Sequence, residues 1–191
     1  EGSQLEELLQ PCQGIISLVR IAIAPHKLIS VHEIVQKIKS MGFEVSLNVM
    51  YLSTWDKDPS FLKDLSSFNG ILDYFYLVDS YGGLYPGEVK AMISLIRSEI
   101  SVPLGYHAHN NLELALSNTL EAIESGVDIV DSTVLGMGRG AGNLKTELLL
   151  TVLQSKKLVE VDYDELSQVV SLFSSLHSKY QWGTNLAYMV S

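Results

Sequence analysis

Five short apolar runs are the clearest pattern along the chain. Each is rich in β-branched or aromatic residues, which is typical of buried strands. They recur about every 25–30 residues, a regular period that indicates a repeated supersecondary unit. The predicted strands are Leu18–Ile23, Val45–Met50, Tyr74–Asp79, Val102–His107 and Val127–Ser132.

Between the runs, apolar residues recur at three- and four-residue spacing, which predicts amphipathic helices. Ser30 is expected to cap the first helix and Gly42 to end it. The predicted helices cover residues 31–42, 86–96, 111–126, 144–153 and, after the last strand, 165–180. Alternating strands and helices at this spacing predict parallel βαβ units.

Two architectures fit this alternation: an open doubly wound sheet and a closed (β/α)8 TIM barrel. The positions of the polar residues favour the barrel, because barrel enzymes build their sites at the carboxyl ends of the strands. Open sheets also bind ligands there, so the open sheet stays an alternative. The polar residues in question are His26, Asp79, His107, His109 and the segment Gly136–Asn143.

The chain is expected to divide at about residue 154. Residues 1–154 contain five β/α units, whereas eight such units need about 220–250 residues, so further strands are expected outside this sequence. Residues 155–191 are predicted to form a helical extension that packs on the barrel or leads into a further domain. Exposure of its apolar end, from Trp182 to Ser191, to water would be energetically unfavourable.

Composition excludes several partners. The 191 residues carry a net charge of -9, which argues against a nucleic-acid partner and against a polybasic membrane contact. No apolar run reaches the roughly 18 residues of a membrane-spanning helix. The single cysteine, Cys12, cannot form an internal disulfide, so a cytoplasmic location is expected.

His107-Ala108-His109 ends a predicted strand and is the first candidate for chemistry. Side chains at i and i+2 of a strand share a face, so both imidazoles can reach one metal ion. The spacing alone is weak, and two ordinary hydrogen-bonded histidines remain the alternative. Asp79, before Ser80 and two glycines, could orient a metal-bound histidine or a substrate, or simply cap a turn.

Two further features could contact an anion. Gly136–Asn143 has four glycines in seven positions, which permits close backbone approach and N–H groups aimed at a carboxylate or phosphate. A flexible connection is the alternative. Arg20 lies within a strand and is expected to point into the barrel, where it would be structural or bind a substrate carboxylate.

The block from His107-Ala108-His109-Asn110-Asn111 to Gly136-Met137-Gly138-Arg139-Gly140-Ala141-Gly142-Asn143, with Asp79-Ser80 before Gly82-Gly83, resembles a known family. It is similar to the metal-dependent pyruvate aldolase and lyase superfamily, of the hydroxymethylglutaryl-CoA lyase type. Within it, the glycine-rich form resembles the 4-hydroxy-2-oxovalerate aldolases most. The resemblance covers about residues 15–150 and implies that the five runs are strands four to eight of the barrel.

The resemblance also implies roles. By the resemblance, His107, His109 and Asn143 would be metal ligands. From their own positions, Asp79 is predicted to be a catalytic residue, and Arg20, Gly138 and Gly140 to be substrate-binding residues. The cofactor would be a divalent metal, Mn²⁺ first, with Mg²⁺, Co²⁺ or Zn²⁺ as alternatives. The family's remaining ligand is an aspartate in an Asp-Arg-Asp/Glu motif on strand one. That motif is absent from this sequence, and no residue in it is assigned as the general base.

The activity implied is a metal-dependent aldolase, a carbon–carbon lyase that works through a pyruvate enolate. Its partner would be a small 2-oxo acid, and a homo-oligomer is left open. Two alternatives remain. One is a Claisen-type acyltransferase of the isopropylmalate synthase kind, and the other is an inactive barrel that serves as a binding module.

Overall fold

A computed structural model of the protein describes residues 2–57 and 59–180. It contains one parallel sheet of five strands, in the spatial order in which they occur along the chain. This is an α/β fold and it agrees with a partial TIM barrel. The strands are β1 (Leu18–Ile23), β2 (Glu44–Val49), β3 (Tyr74–Asp79), β4 (Leu104–Ala108) and β5 (Ile129–Val130).

Helices connect the strands and cover one face of the sheet. Short 3₁₀ turns fill several connections, among them Leu52–Lys57 and Val134–Gly136. The helices are α1 (Gly2–Leu9), α2 (His32–Ser40), α3 (Pro59–Leu65), α4 (Pro86–Glu99), α5 (Ala115–Glu124), α6 (Thr146–Ser155) and α7 (Tyr163–Tyr180).

The register of the strands separates two faces. Arg20 pairs with Ser46, Asn48 with Tyr76, and Val78 with His107. Because side chains alternate along a strand, these residues share the concave face, which we call the lumen face. The residues between them form the helix face. That face is dry: its six most central side chains, Val45, Leu47, Phe75, Leu77, Leu104 and Tyr106, are fully buried.

The helix face supplies the core. Trp55 packs with its ring centroid 5.0 Å from that of Phe61 and 5.9 Å from that of Phe75. On α4, Val89, Ile93 and Ile96 are buried at helical spacing. Burial of this kind stabilises the fold by roughly 1.5–3 kcal/mol for each large apolar side chain. The core thereby holds the strand ends in fixed positions relative to one another.

The observed elements correct several expectations. The segment between β2 and β3 also contains α3, a helix that was not predicted. Phe61, Leu65 and Phe68 in this segment are buried at helical spacing. The proposed cap at Ser30 is wrong: its hydroxyl donates to the carbonyl of Lys27, and α2 begins at His32. Gly42, with φ of +90°, does end that helix.

Two strands are shorter than predicted. β4 begins at Leu104 because Pro103 has no N–H to donate to the ladder. β5 contains only Ile129 and Val130, since it lies at the sheet edge and the chain then turns into the glycine-rich segment.

Helix α7 differs from the others because it has no buried residue. It lies against the 3₁₀ turn Val134–Gly136. Its role as an extension beyond residue 154 stays a prediction, and the apolar end from Trp182 to Ser191 lies outside the described residues. No helix in the described part of the chain is long and apolar enough to cross a membrane.

Candidate active site

His107 and His109 lie together at the carboxyl end of β4. Their ring centroids are 5.2 Å apart and the rings meet edge to face. Both side chains are partly exposed. Two imidazoles at this distance, on a strand whose direction is fixed by pairing with β3, can present nitrogen atoms to a common ion.

The His107 ring is held by a carboxylate. Its Nδ1 lies 2.9 Å from Oδ2 of Asp131, just after β5. The same carboxylate accepts two hydrogen bonds from Arg20, at 3.1 Å and 2.5 Å, across the lumen from β1. Burial alone would raise the pKa of Asp131, but the hydrogen bonds from His107 and Arg20 and the charge of Arg20 lower it below its ordinary value. The carboxylate is therefore ionised at neutral pH.

His109 is the more buried histidine. Its pKa is lowered to about 4, mainly by burial and then by the charges of His107 and Arg139, while a hydrogen bond with the backbone of Arg139 opposes this shift. The ring is thus neutral at physiological pH. A neutral imidazole is the form that can offer a lone pair to a metal.

Asn143 is the neighbour of His109 across a backbone bridge. Its side-chain nitrogen donates to the carbonyl of Met137 at 3.2 Å, while its buried Oδ1 has no hydrogen-bond partner among the described residues. A buried oxygen without a donor is costly. Beside two imidazoles, it fits the coordination of a divalent cation.

The glycine-rich segment makes room for this amide. A Cβ atom on Gly138 would lie 2.6 Å from the side-chain nitrogen of Asn143. Gly142, with φ of +89°, would place a Cβ against the carbonyl of Gly136. These glycines are therefore required for the close approach of the loop to itself, whether or not Gly138 and Gly140 also contact substrate.

A second asparagine, Asn111, links the loops at the carboxyl ends of the strands. The buried side chain of Asn111 donates to the carbonyl of Tyr81 at 2.8 Å and accepts from the N–H of Ala141 at 3.1 Å. Its amide thus joins the loops after β3, β4 and β5. The backbone adds two more links, from Leu112 to Gly82 and from Asn110 to Gly142.

Asp79 is placed differently from the histidines. It pairs with Ala108 rather than His107, and its carboxylate accepts from the N–H groups of Gly83 and Leu84, both at 3.4 Å. Burial raises its pKa to about 6, although these backbone hydrogen bonds lower it. The contacts favour the turn-cap interpretation. A catalytic role for Asp79 stays a prediction without support from its contacts.

Arg20 does point into the lumen. Its guanidinium lies 4.0 Å from the ring centroid of Tyr76, and Nε donates to Oδ1 of Asn48. Sequence reasoning assigned no role to Asp131 or Asn48. The signal for Asp131 was present, because it follows Ile129 by two residues and so falls on the lumen face beside the end of β4.

The described residues contain no group of three or more His, Cys, Asp or Glu side chains close enough to share a metal ion. Within the described residues, the candidate ligands are therefore two imidazoles and one amide oxygen. A further acidic ligand would have to come from outside residues 2–57 and 59–180.

Comparison with known proteins identifies the family. The model of the HMGL-like family matches residues 22–173. The chain belongs to the HMGL-like family. Among curated proteins, 4-hydroxy-2-oxovalerate aldolase of Carboxydothermus hydrogenoformans is 52% identical over 81 residues, which are 42% of this chain and 24% of the relative. Oxaloacetate decarboxylase of Mycobacterium tuberculosis is 32% identical over 152 residues, 79% of this chain and 45% of that protein.

A solved structure extends the match to the whole HMGL-like chain. "Crystal structure of the N-terminal domain of a putative aldolase from Bacteroides vulgatus" has a TM-score of 0.95 and 46% identity, over 99% of this chain and 63% of that one. The chain therefore spans less than half the length of the two curated relatives and about two thirds of this structural neighbour.

Proposed function

We propose that this chain is the metal-binding part of a class II aldolase, a carbon–carbon lyase that cleaves or forms a bond next to a 2-oxo acid through a pyruvate enolate. The observation that carries the proposal is that the buried Oδ1 of Asn143, whose backbone bridges to that of His109, has no hydrogen-bond partner among the described residues, while the rings of His107 and His109 lie together. The names of the aldolase relatives support it.

These three side chains would hold the divalent ion. Two nitrogen ligands and an amide oxygen, with carboxylate and water completing the set, suit Mn²⁺, and Mg²⁺, Co²⁺ or Zn²⁺ are the alternatives. When bound, such an ion acts as a Lewis acid that stabilises negative charge on an enolate oxygen.

The chain's own residues would bind and orient the substrate. The guanidinium of Arg20 has five N–H donors; the described contacts use three of them, on Nε, Nη1 and Nη2, which leaves two for a substrate carboxylate. The glycine-rich segment, with Gly138 and Gly140, would form the wall next to Asn143. We assign no general base among residues 2–57 and 59–180.

We further propose that three more β/α units complete a closed eight-stranded barrel. Arg20 on β1 and Asp131 after β5 meet across the lumen, so the sheet is curved as a barrel requires. The longer structural neighbour and the longer curated relatives supply sequence for such units.

A direct assay tests the activity. In the full natural protein with Mn²⁺, we expect 4-hydroxy-2-oxovalerate to release pyruvate, measured with a coupled lactate dehydrogenase. Removal of the metal with EDTA should abolish the rate and added Mn²⁺ should restore it. The double variant His107→Ala with His109→Ala should lose both the rate and Mn²⁺ binding, while the control His177→Ala, on α7, should keep them. Pyruvate release that survives the double variant would contradict the proposal.

Oxaloacetate decarboxylation is the second candidate, because a relative that aligns with 79% of this chain carries that name. Both reactions form the same pyruvate enolate, and they differ in whether an aldehyde or carbon dioxide leaves. Parallel assays with oxaloacetate and 4-hydroxy-2-oxovalerate separate them. The names of these relatives lend no support to the Claisen-type acyltransferase.

A further inference from the structure

One carboxylate in the lumen serves two partners. Oδ2 of Asp131 lies 2.9 Å from Nδ1 of His107 and 2.5 Å from Nη2 of Arg20, while Oδ1 lies 3.1 Å from Nη1 of Arg20. Asp131 follows β5, His107 ends β4, and Arg20 belongs to β1. The arrangement thus connects the two edges of the sheet to a histidine of the candidate site.

We propose that Asp131 is a positioning residue: its carboxylate holds His107 with the proton on Nδ1 and leaves Nε2 as the nitrogen that binds the ion. The inference rests on the proposed function, because it takes His107 to be a metal ligand. It goes beyond that function by naming the group that selects which nitrogen is available.

The chemistry of the contact fixes the direction of the hydrogen bond. An ionised carboxylate only accepts, so the ring nitrogen that faces Asp131 must carry the proton. A neutral imidazole has one N–H and one lone pair, and the lone pair is then on Nε2. Carboxylates that orient metal-binding histidines in this way typically contribute 10–100-fold to metal affinity.

Arg20 holds the carboxylate from the far side of the lumen. Its two terminal nitrogens each donate to a different oxygen of Asp131, which sets the plane of the carboxylate. The guanidinium is itself fixed by the Tyr76 ring beneath it and by the Nε hydrogen bond to Asn48. Asp131 is therefore oriented before any ligand arrives.

The same region offers a matched control. Asp128, just before β5, also binds an arginine, since its Oδ2 lies 2.7 Å from Nη2 of Arg97. It accepts the N–H of Leu104 as well, at the start of β4. Like Asp131, Asp128 thus pairs with an arginine, although a different one, and flanks β5 beside β4. The structure records no contact between Asp128 and either histidine of the site.

The first experiment measures Mn²⁺ affinity by calorimetry in the full natural protein. Asp131→Ala should weaken binding 10–100-fold, because no acceptor would then face Nδ1 of His107. Asparagine is a weaker test, since one amide oxygen in the place of Oδ2 could still accept from both His107 and Arg20. Asp131→Glu should keep more of the affinity than Asp131→Ala, and the control Asp128→Ala should stay within about twofold of wild type. Circular dichroism checks that each variant is folded. Binding by Asp131→Ala within twofold of wild type would overturn the proposal.

The second experiment reads the proton directly, in metal-free protein with ¹⁵N-labelled histidine at about pH 9, where an ordinary imidazole is neutral. Long-range ¹H–¹⁵N spectra should show the Nδ1–H form of His107 in wild type and in Asp128→Ala, and the Nε2–H form in Asp131→Ala, where no acceptor faces Nδ1. An Nε2–H form in wild type would refute the proposal. If wild type failed to bind Mn²⁺, or if the double histidine variant still bound it, the proposed function would fail, whereas the tautomer would still decide what Asp131 does to His107.

Discussion

The two faces of the sheet use the same strands for opposite purposes. On the helix face, Val45, Leu47 and Phe75 are fully buried and apolar. On the lumen face, Arg20, Asn48 and Asp131 form a hydrogen-bonded polar network that ends on His107. Alternate residues of each strand therefore contribute to the stability of the fold or to the candidate site. Substitutions at neighbouring positions should accordingly differ in their effect on the free energy of unfolding.

The prediction with the largest expected effect compares one residue from each face. Phe75→Ala should lower the free energy of unfolding by about 3–5 kcal/mol, because it removes a buried ring and leaves a cavity next to Trp55. Asn48→Ala should cost less, about 2 kcal/mol, because it removes the acceptor of two hydrogen bonds, from Nε of Arg20 and from the Ser46 hydroxyl. Urea denaturation followed by tryptophan fluorescence measures both. Equal losses would show that the faces do not differ in this way.

Asp79 extends the comparison because its carboxylate is buried on the helix face. Its folded pKa of about 6 lies above its ordinary value of 3.8, so the folded state binds the proton more tightly than the unfolded state does. The resulting stability is fully present below about pH 4 and is lost as the pH rises through 6; the full change is about 3 kcal/mol.

The measurement for Asp79 is the difference in unfolding free energy between wild type and Asp79→Asn, taken from pH 4 to pH 7. The other titrating groups cancel in this difference. We expect wild type to lose stability relative to the variant as the pH rises. A difference that stays constant with pH would show that the carboxyl group is not held in an apolar environment.

A glycine on the lumen face gives a further test of the comparison. A Cβ atom on Gly105 would collide with the ring of Tyr76, on which Arg20 lies. Gly105→Ala should therefore cost about 1–3 kcal/mol of stability through overpacking. Gly87→Ala, in the first turn of α4 with nothing within 4 Å of the added atom, is the control and should not destabilise. Thermal melts of the two variants measure the difference.

The sequence predicted those parts of the fold that follow from local pattern. The bounds of β1 and β3 were predicted correctly, because each is an apolar run between clear breaks. α3 was missed because its apolar positions lie among the polar and aromatic residues of a turn-rich segment. The Ser30 cap failed because the preceding residues form a 3₁₀ turn that takes the hydroxyl elsewhere.

The candidate site was predictable only where its residues are close in sequence. The i, i+2 spacing of His107 and His109 indicated one face, and the structure places their rings side by side. The contact of Arg20 with Asp131 joins residues 111 positions apart, so it depends on how far the sheet curves. Local pattern carries no information on that curvature. The same limit explains why Asp79 looked like a candidate beside the histidines, although it pairs with Ala108.

The side-chain amide of Asn111 has a mechanical consequence. Since it bonds to Tyr81 on one side and to Ala141 on the other, movement of the loop after β3 or of the loop after β5 away from Asn111 must break one of these hydrogen bonds. We therefore expect the three loops that surround the histidines to open together, with similar protection of their amide protons in hydrogen exchange.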